Sequence, residues 1–298
     1  MFSKSESRVL SERYVAVRIT GGDDLTPEAN EFMTEYAVTG YPTLYVMNAE
    51  GHVVVDRVGR TLEAMLDALE LGAQREVEFD ALRERTDPAS RVEFGRMLCD
   101  RMLMDEAETV FTELLAEAPS AAAHEGLAKL HARRGERARE RRLLTEMLAL
   151  YPEADGRTSW RIRLASMGLD GVRSRSAWRE KLTETVALLE ELHTAVAQEG
   201  GGPLAEAEVR TKLGGYLSMA GRNDDALAHL DWVLEHAGES RLAPAALLAR
   251  ARVRWRQGEW ARCKSEFERI LREFPESEEA RVAPRGIRNC DLRLGRDK

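Results

Sequence analysis

Cysteine is scarce in this sequence, with three in 298 residues, at positions 99, 263 and 290. So few thiols, so far apart, exclude a disulfide framework and point to a reducing compartment, here read as the cytoplasm. No cysteine precedes Cys99 and no Cys-x-x-Cys occurs. That excludes the dithiol arrangement in which a helix N-terminus lowers a thiol pKa for redox catalysis. No apolar run approaches the roughly 20 residues of a membrane span. The opening Met1-Phe2-Ser3-Lys4-Ser5-Glu6-Ser7-Arg8 also lacks the apolar segment of a secretory signal. Clustered basic charge is missing too: the net charge is −8, which argues against a nucleic-acid footprint. Gly200-Gly201-Gly202 lacks the Lys and the following Ser/Thr of a phosphate loop. The six histidines include two pairs seven residues apart, His124/His131 and His229/His236. Seven helical residues rise about 10.5 Å, too far for two ligands of one ion, so solvated or half-buried rings and no metal are expected.

What is present is helix-forming material. Hydrophobic residues make up 43% and charged residues 32% of a chain long enough for two domains. The first 76 residues read as mixed structure. Tyr14-Val15-Ala16-Val17-Arg18-Ile19-Thr20 is a strand by its β-branched content. Thr26 then caps a helix with Pro27 at its first position. Val38-Thr39-Gly40-Tyr41-Pro42-Thr43-Leu44-Tyr45-Val46 runs from a turn into an alternating strand. Across Ala49-Glu50-Gly51-His52 comes a second strand, Val53-Val54-Val55, and then an amphipathic helix from Leu62 that ends near Gln74.

This order, with glycine and proline ahead of a strand, resembles the C-terminal half of a thioredoxin fold. The resemblance implies a cis peptide bond before Pro42 and a proline loop of Tyr41, Pro42 and Thr43, of which Tyr41 and Pro42 would line a binding groove. It also implies that the first strand-helix unit, which bears Cys-x-x-Cys in that family, is missing. The missing strand belongs in the middle of the sheet, and its loss would leave two rows of backbone groups to be satisfied by other means. An edge left open in this way would gain a strand from a second copy, which gives homodimerisation as one expectation.

After Glu76 the pattern becomes helical and repetitive. Gly95, Ala107, Phe111 and Pro119 return 33 residues later as Ala128, Glu140, Leu144 and Pro152. The frame recurs as Gly214, Gly221, Ala226 and Leu230, and again as Ala251, Gly258, Cys263, Phe267 and Pro275. Small residues let antiparallel helices approach, glycine supplies a left-handed turn between them, and proline ends the second helix. These positions resemble those of tetratricopeptide repeats. Between the second and third copies, Trp160–Met167 and Ser176–Gln198 are expected as helices, the latter with Val186, Leu188, Leu189 and Leu192 on one face. Gly200-Gly201-Gly202-Pro203 reads either as a hinge or as a long inter-repeat loop. Ser277–Leu294 reads as a solvating cap helix.

The expected architecture is therefore an incomplete thioredoxin-like α/β module over 1–76 followed by an all-α superhelical solenoid of tetratricopeptide-like repeats over 77–298. Cys263 fills a small-residue position, Cys99 lies on the groove side of its helix, and Cys290 lies in the cap, all three in structural roles. The repeat resemblance implies a groove lined by first helices, and transferring its positions gives Arg96, Lys129, Arg133, Arg252, Trp255 and Arg256. This basic set suits acidic peptides through arginine–carboxylate contacts. The lysine/asparagine pattern of the chaperone-binding carboxylate clamp is not reproduced. The reading that follows is a non-catalytic protein-interaction scaffold without cofactor, binding a protein partner of unidentified kind. The alternative is the downstream part of a thiol-disulfide oxidoreductase whose Cys-x-x-Cys lies upstream of Met1.

Overall fold

In the computed structural model, residues 43–56, 58–59 and 61–295 are described. The expected strand at 14–20, the helix after Thr26, and Tyr41 and Pro42 lie outside the described residues. The chain divides into two compact units, up to Leu143 and from Leu144.

The first unit opens with a hairpin. Strands β1 (Val46–Met47) and β2 (Val53–Val55) pair antiparallel, Val46 opposite Val55 and Met47 opposite Val53, with an irregularity between Val46 and Met47. The turn is tied by the Asn48 side chain, which accepts from the backbone N–H of His52 at 2.9 Å, and by Gly51 in the left-handed region. Thr43 is irregular and half-buried ahead of β1. Helix α1 (Leu62–Arg83) begins at Thr61, whose hydroxyl accepts from the N–H of Ala64. Val54, Val55 and Ala68 form a small apolar cluster, and Gly72 leaves room for Val46. Arg75 donates from Nη1 to the carbonyl of Val54 at 2.9 Å.

Helix α1 does not stop near Gln74. It continues without a break through position 76, because good helix formers follow and because the next helices hold it there. The holding residue is Arg101, 4% exposed at the end of α2 (Pro88–Asp100). Its guanidinium lies 2.8 Å from the Glu76 carboxylate, donates to the carbonyl of Arg75 at 3.3 Å, and sits 3.6 Å above the ring of Phe79. The approach to Glu76 is an ion pair, and the aligned hydrogen bond goes to Arg75.

Ten more helices follow among the described residues. They are α3 (Met104–Glu117), α4 (Ala121–Arg133), α5 (Arg137–Leu150), α6 (Arg157–Ser166), α7 (Arg175–Gln198), α8 (Gly202–Met219), α9 (Asn223–His236), α10 (Ala243–Arg256), α11 (Trp260–Glu273) and α12 (Glu278–Leu294). The small and large packing positions of the register go inside: Ala107, Phe111, Ala128, Glu140, Leu144, Ala226, Leu230, Ala251, Cys263 and Phe267 are buried, whereas the turn glycines Gly221 and Gly258 and the helix-ending prolines Pro119, Pro152 and Pro275 are exposed. Phe111 shows why the small positions are small. A Cβ on Gly95 would lie 2.7 Å from the Phe111 ring, and one on Gly126 would overlap it from the α4 side. In the second unit, Gly214 makes room for Leu230 in the same way, and Gly286 of α12 for Phe267.

The turns between paired helices share one backbone solution. After α4, α8 and α10, Gly135, Gly221 and Gly258 take φ of 73°, 85° and 77°. In each, the following residue donates back to the helix: Glu136 to His131, Arg222 to Leu217, Glu259 to Arg254, at 2.9 Å in every case. Met102 holds the same place after α2, with φ of 67° and the bond from Leu103 to Leu98 at 2.9 Å. It is the one non-glycine residue with positive φ among the described residues, a conformation that costs an L-residue about 1–2 kcal/mol.

Several expectations are corrected. The triglycine stretch is neither hinge nor long loop: α7 ends at Gln198 and α8 starts at Gly202, with Gly200 left-handed and Gly201 donating to Val196. Leu188 is 48% exposed, off the face formed by Val186, Leu189 and Leu192. His124 and His131 are buried, because each ring finds a local acceptor: Nδ1 of His124 meets the Ser120 carbonyl at 3.1 Å, and Nδ1 of His131 the Glu136 carboxylate at 2.6 Å. Cys99 is buried in the core of the first unit with Leu98, Phe111 and Leu130, so it lines no groove.

Two substitutions test these points by denaturant unfolding. Met102→Gly is expected to stabilise the protein by about 1 kcal/mol by relieving the left-handed backbone. Arg101→Ala is expected to cost about 2–3 kcal/mol, because it removes a buried cation with all its partners and leaves Glu76 without a counter-charge.

Candidate peptide-binding face

The six residues transferred to the groove separate into two sets. Arg96, Lys129 and Arg133 are in the first unit, on α2 and α4; Arg252, Trp255 and Arg256 are in the second, all on α10. The first set is already neutralised. Arg96 meets Glu93 at 3.1 Å, Lys129 meets Glu125 at 2.7 Å, and Arg133 reaches from α4 to Asp100 of α2 at 2.8 Å. These are exposed pairs of small energetic weight, but they satisfy each cation locally.

Helix α10 divides its four arginines by face. Its apolar side, with Ala246, Leu247, Ala251 and Val253, is buried. Arg250 and Arg254, one turn apart, are held by acids: Arg250 bridges Asp231 and Glu266 at 2.7 and 2.8 Å, and Arg254 meets Glu259 at 2.7 Å. Arg252 and Arg256, also one turn apart, are exposed, and neither meets a carboxylate among the described residues. Arg256 instead donates from Nη1 to the buried Ser218 hydroxyl on α8 at 2.7 Å, and that hydroxyl donates to Asn223 at 3.2 Å. Desolvation first, and the neighbouring Arg252 second, push the Arg256 pKa below its ordinary value. Beside this anchor, the Cα of Gly215 on α8 faces open space and Met219 is exposed.

Trp255 stands elsewhere than expected. It packs edge-on against Trp260 of α11, with ring centroids 4.7 Å apart, and Arg293 of α12 lies within 6 Å of both rings. It joins three helices and is half-buried.

Sequence reasoning missed a polar cluster in the second unit, between α7, α8 and α9. Arg210 clasps Glu206 through Nε and Nη2, touches Nδ1 of His229 at 3.2 Å and covers the Trp232 ring. His193 adds an edge-on contact to His229 and lies 3.4 Å from Glu206. The Glu206/Arg210 spacing of four was the legible signal; the histidines come from different helices. No group of three or more metal-ligating side chains is assembled among the described residues. Burial, then Arg210 and His193, lower the His229 pKa to about 4, against weaker pulls from Asp225 and Glu190.

The repeat signal has a direct counterpart. Residues 244–283 match the tetratricopeptide repeat family model. The match spans α10, α11 and the start of α12. Among solved structures, the thermophilic tetratricopeptide protein TTC0263 of Thermus thermophilus superposes with a TM-score of 0.53 at 17% identity, over 67% of this chain and 99% of that one. PilF of Pseudomonas aeruginosa gives 0.46 at 15% identity, over 73% and 92%. YrrB, described as a tetratricopeptide protein with an unusual peptide-binding site, gives 0.36 at 14%, over 70% and 97%. No curated protein matches the chain. At 17% identity the likeness to the Thermus protein is one of fold alone: helix pairs of the tetratricopeptide type. No helix among the described residues is long and apolar enough to cross a membrane.

The His229 cluster predicts an acid-sensitive fold. The folded pKa lies below the ordinary 6.5, so as pH falls the unfolded chain takes up the proton first. The contribution of the neutral ring is whole above pH 6.5 and drains away as pH falls toward 4. Allowing for the partial exposure of the ring, about 1–2 kcal/mol is expected to be lost over that window. Chemical denaturation at about pH 7 and about pH 4.5 should show this loss in the parent protein and a smaller one in His229→Gln.

Proposed function

We propose that this protein is a non-catalytic interaction scaffold whose second unit receives an acidic peptide segment on the Arg252/Arg256 face. One observation carries the reading. In a chain of net charge −8, with its other groove-position cations paired, these two arginines are left without carboxylates among the described residues. A guanidinium kept partly desolvated and held by Ser218 is pre-oriented to form a bidentate contact with an incoming carboxylate. The tetratricopeptide fold supports the class of function, since extended first-helix surfaces of stacked repeats are binding surfaces. The scarcity of cysteine, three in 298 residues, supports a cytoplasmic setting.

The thioredoxin-like reading of the N-terminal segment is also a proposal. Among the described residues the segment supplies only a two-stranded hairpin and α1, so a thioredoxin-like sheet is not shown there. Its strand at 14–20 and Tyr41 and Pro42 of its proline loop lie outside the described residues.

Fluorescence anisotropy with labelled Glu/Asp-rich and Lys-rich peptides tests the acidic-segment reading. Binding of the acidic probes is expected, weakening with salt and falling at least about tenfold in the Arg252→Glu/Arg256→Glu double variant. Arg96→Glu/Lys129→Glu should leave it within about twofold. Equal binding of both peptide classes, or no effect of the α10 variant, would remove the proposal.

A further inference from the structure

The repeat register placed Cys263 at a packing position and Cys290 in the cap helix, 27 residues on, with nothing in the sequence to connect them. The fold brings them together. Sγ of Cys290 lies 3.3 Å from Sγ of Cys263, in thiol–thiol contact, and both residues are fully buried between α11 and α12. The helices are held in register at this level by Lys264 and Asp291, the next residue after each cysteine, paired at 2.7 Å. One turn further along each pair, Phe267 packs on Gly286. Cys99, the remaining thiol, is buried in the other unit.

We infer that Cys263 and Cys290 form an oxidisable pair, which a diffusible low-molecular-weight disulfide converts into an intrachain disulfide tying α12 to α11. The exchange balances without another reactant. The Cys290 thiolate attacks one sulfur of the small disulfide, forming a mixed disulfide and expelling one small thiolate. The Cys263 thiolate then attacks the Cys290 sulfur, closing the protein disulfide and expelling the second small thiolate. The two protons given up by the cysteines are taken by the two leaving thiolates. Two protein sulfurs are oxidised and one small disulfide is reduced to two thiols. The sulfurs need only a short further approach, about 1.3 Å, to reach bonding distance.

Access is set by α12. Burial holds both thiols above the ordinary thiol range, so they are inert while the cap is seated. The cap helix also carries two breakers in its interior. Pro284 lies in its interior and has no N–H to offer the carbonyl four residues back, and Gly286 follows two residues later. Opening of α12 exposes the pair, and closure of the disulfide removes that opening. The result is a cap that oxidation locks in place.

The test uses the full chain incubated with glutathione disulfide, followed by thiol blocking, intact mass and peptide mapping. The expected product has lost two hydrogens, carries a Cys263–Cys290 cross-link and leaves Cys99 open to alkylation after denaturation. Its thermal midpoint should rise by about 5 °C and return on reduction. Cys99→Ala should behave as the parent protein, Cys290→Ala should show no midpoint shift, and Pro284→Ala should slow the oxidation several-fold. A persistent glutathione adduct, a cross-link through Cys99, or no reaction at temperatures approaching the unfolding midpoint would each overturn the inference.

Discussion

Two helices can lie side by side only as closely as their side chains allow, and in this protein the closeness is set by missing side chains. The ring of Phe111 occupies a volume that belongs to neither helix facing it, because Gly95 and Gly126 give it up. Leu230 against Gly214 and Phe267 against Gly286 repeat the arrangement. A close-packed interior tolerates no compromise here, since an added methyl would force the helices apart along their whole length. The left-handed turns serve the same end: they return the chain tightly enough for the large residue of the second helix to meet the gap in the first.

Much of this was legible. A gap and the residue that fills it recur at fixed intervals, so the repeat frame could be read from Gly95, Ala107 and Phe111 and their successors. The start of the cap helix followed from its own punctuation, the Ser277 hydroxyl accepting from the N–H of Ala280, whereas the end of α1 did not. What could not be read were relations between turns of different helices. The meeting of Cys263 with Cys290 and of His193 with His229 depends on crossing geometry, which a single sequence does not encode at any short spacing. Burial of His124 and His131 was misjudged for a related reason: a polar ring goes inside when a local acceptor waits for it, and spacing does not report the acceptor.

The candidate binding face was half legible. The sequence located Arg252 and Arg256 at exposed first-helix positions, yet it also located Arg96, Lys129 and Arg133, which fold into pairs with nearby acids. Charge composition alone cannot separate an arginine that is bound from one that is available. On α10 the separation is made by helical periodicity, which turns alternate arginines toward Asp231, Glu266 and Glu259 and leaves the others outward. Trp255 was drawn to the groove by the same arithmetic and is instead spent in joining α10 to Trp260 and Arg293.

The continuity of α1 bears on how the chain can be taken apart. The change in composition at position 76 invites a cut there, as though a helical array began at the next residue. Such a cut would pass between Glu76 and the rest of the helix, taking away the carboxylate and the carbonyl that receive the Arg101 guanidinium. The fragment would begin with a cation buried in its interior and nothing of opposite sign beside it. A piece that keeps the Arg101 site intact must therefore keep α1 through Arg75 and Glu76, and the seam seen in the amino-acid composition falls inside a continuous helix.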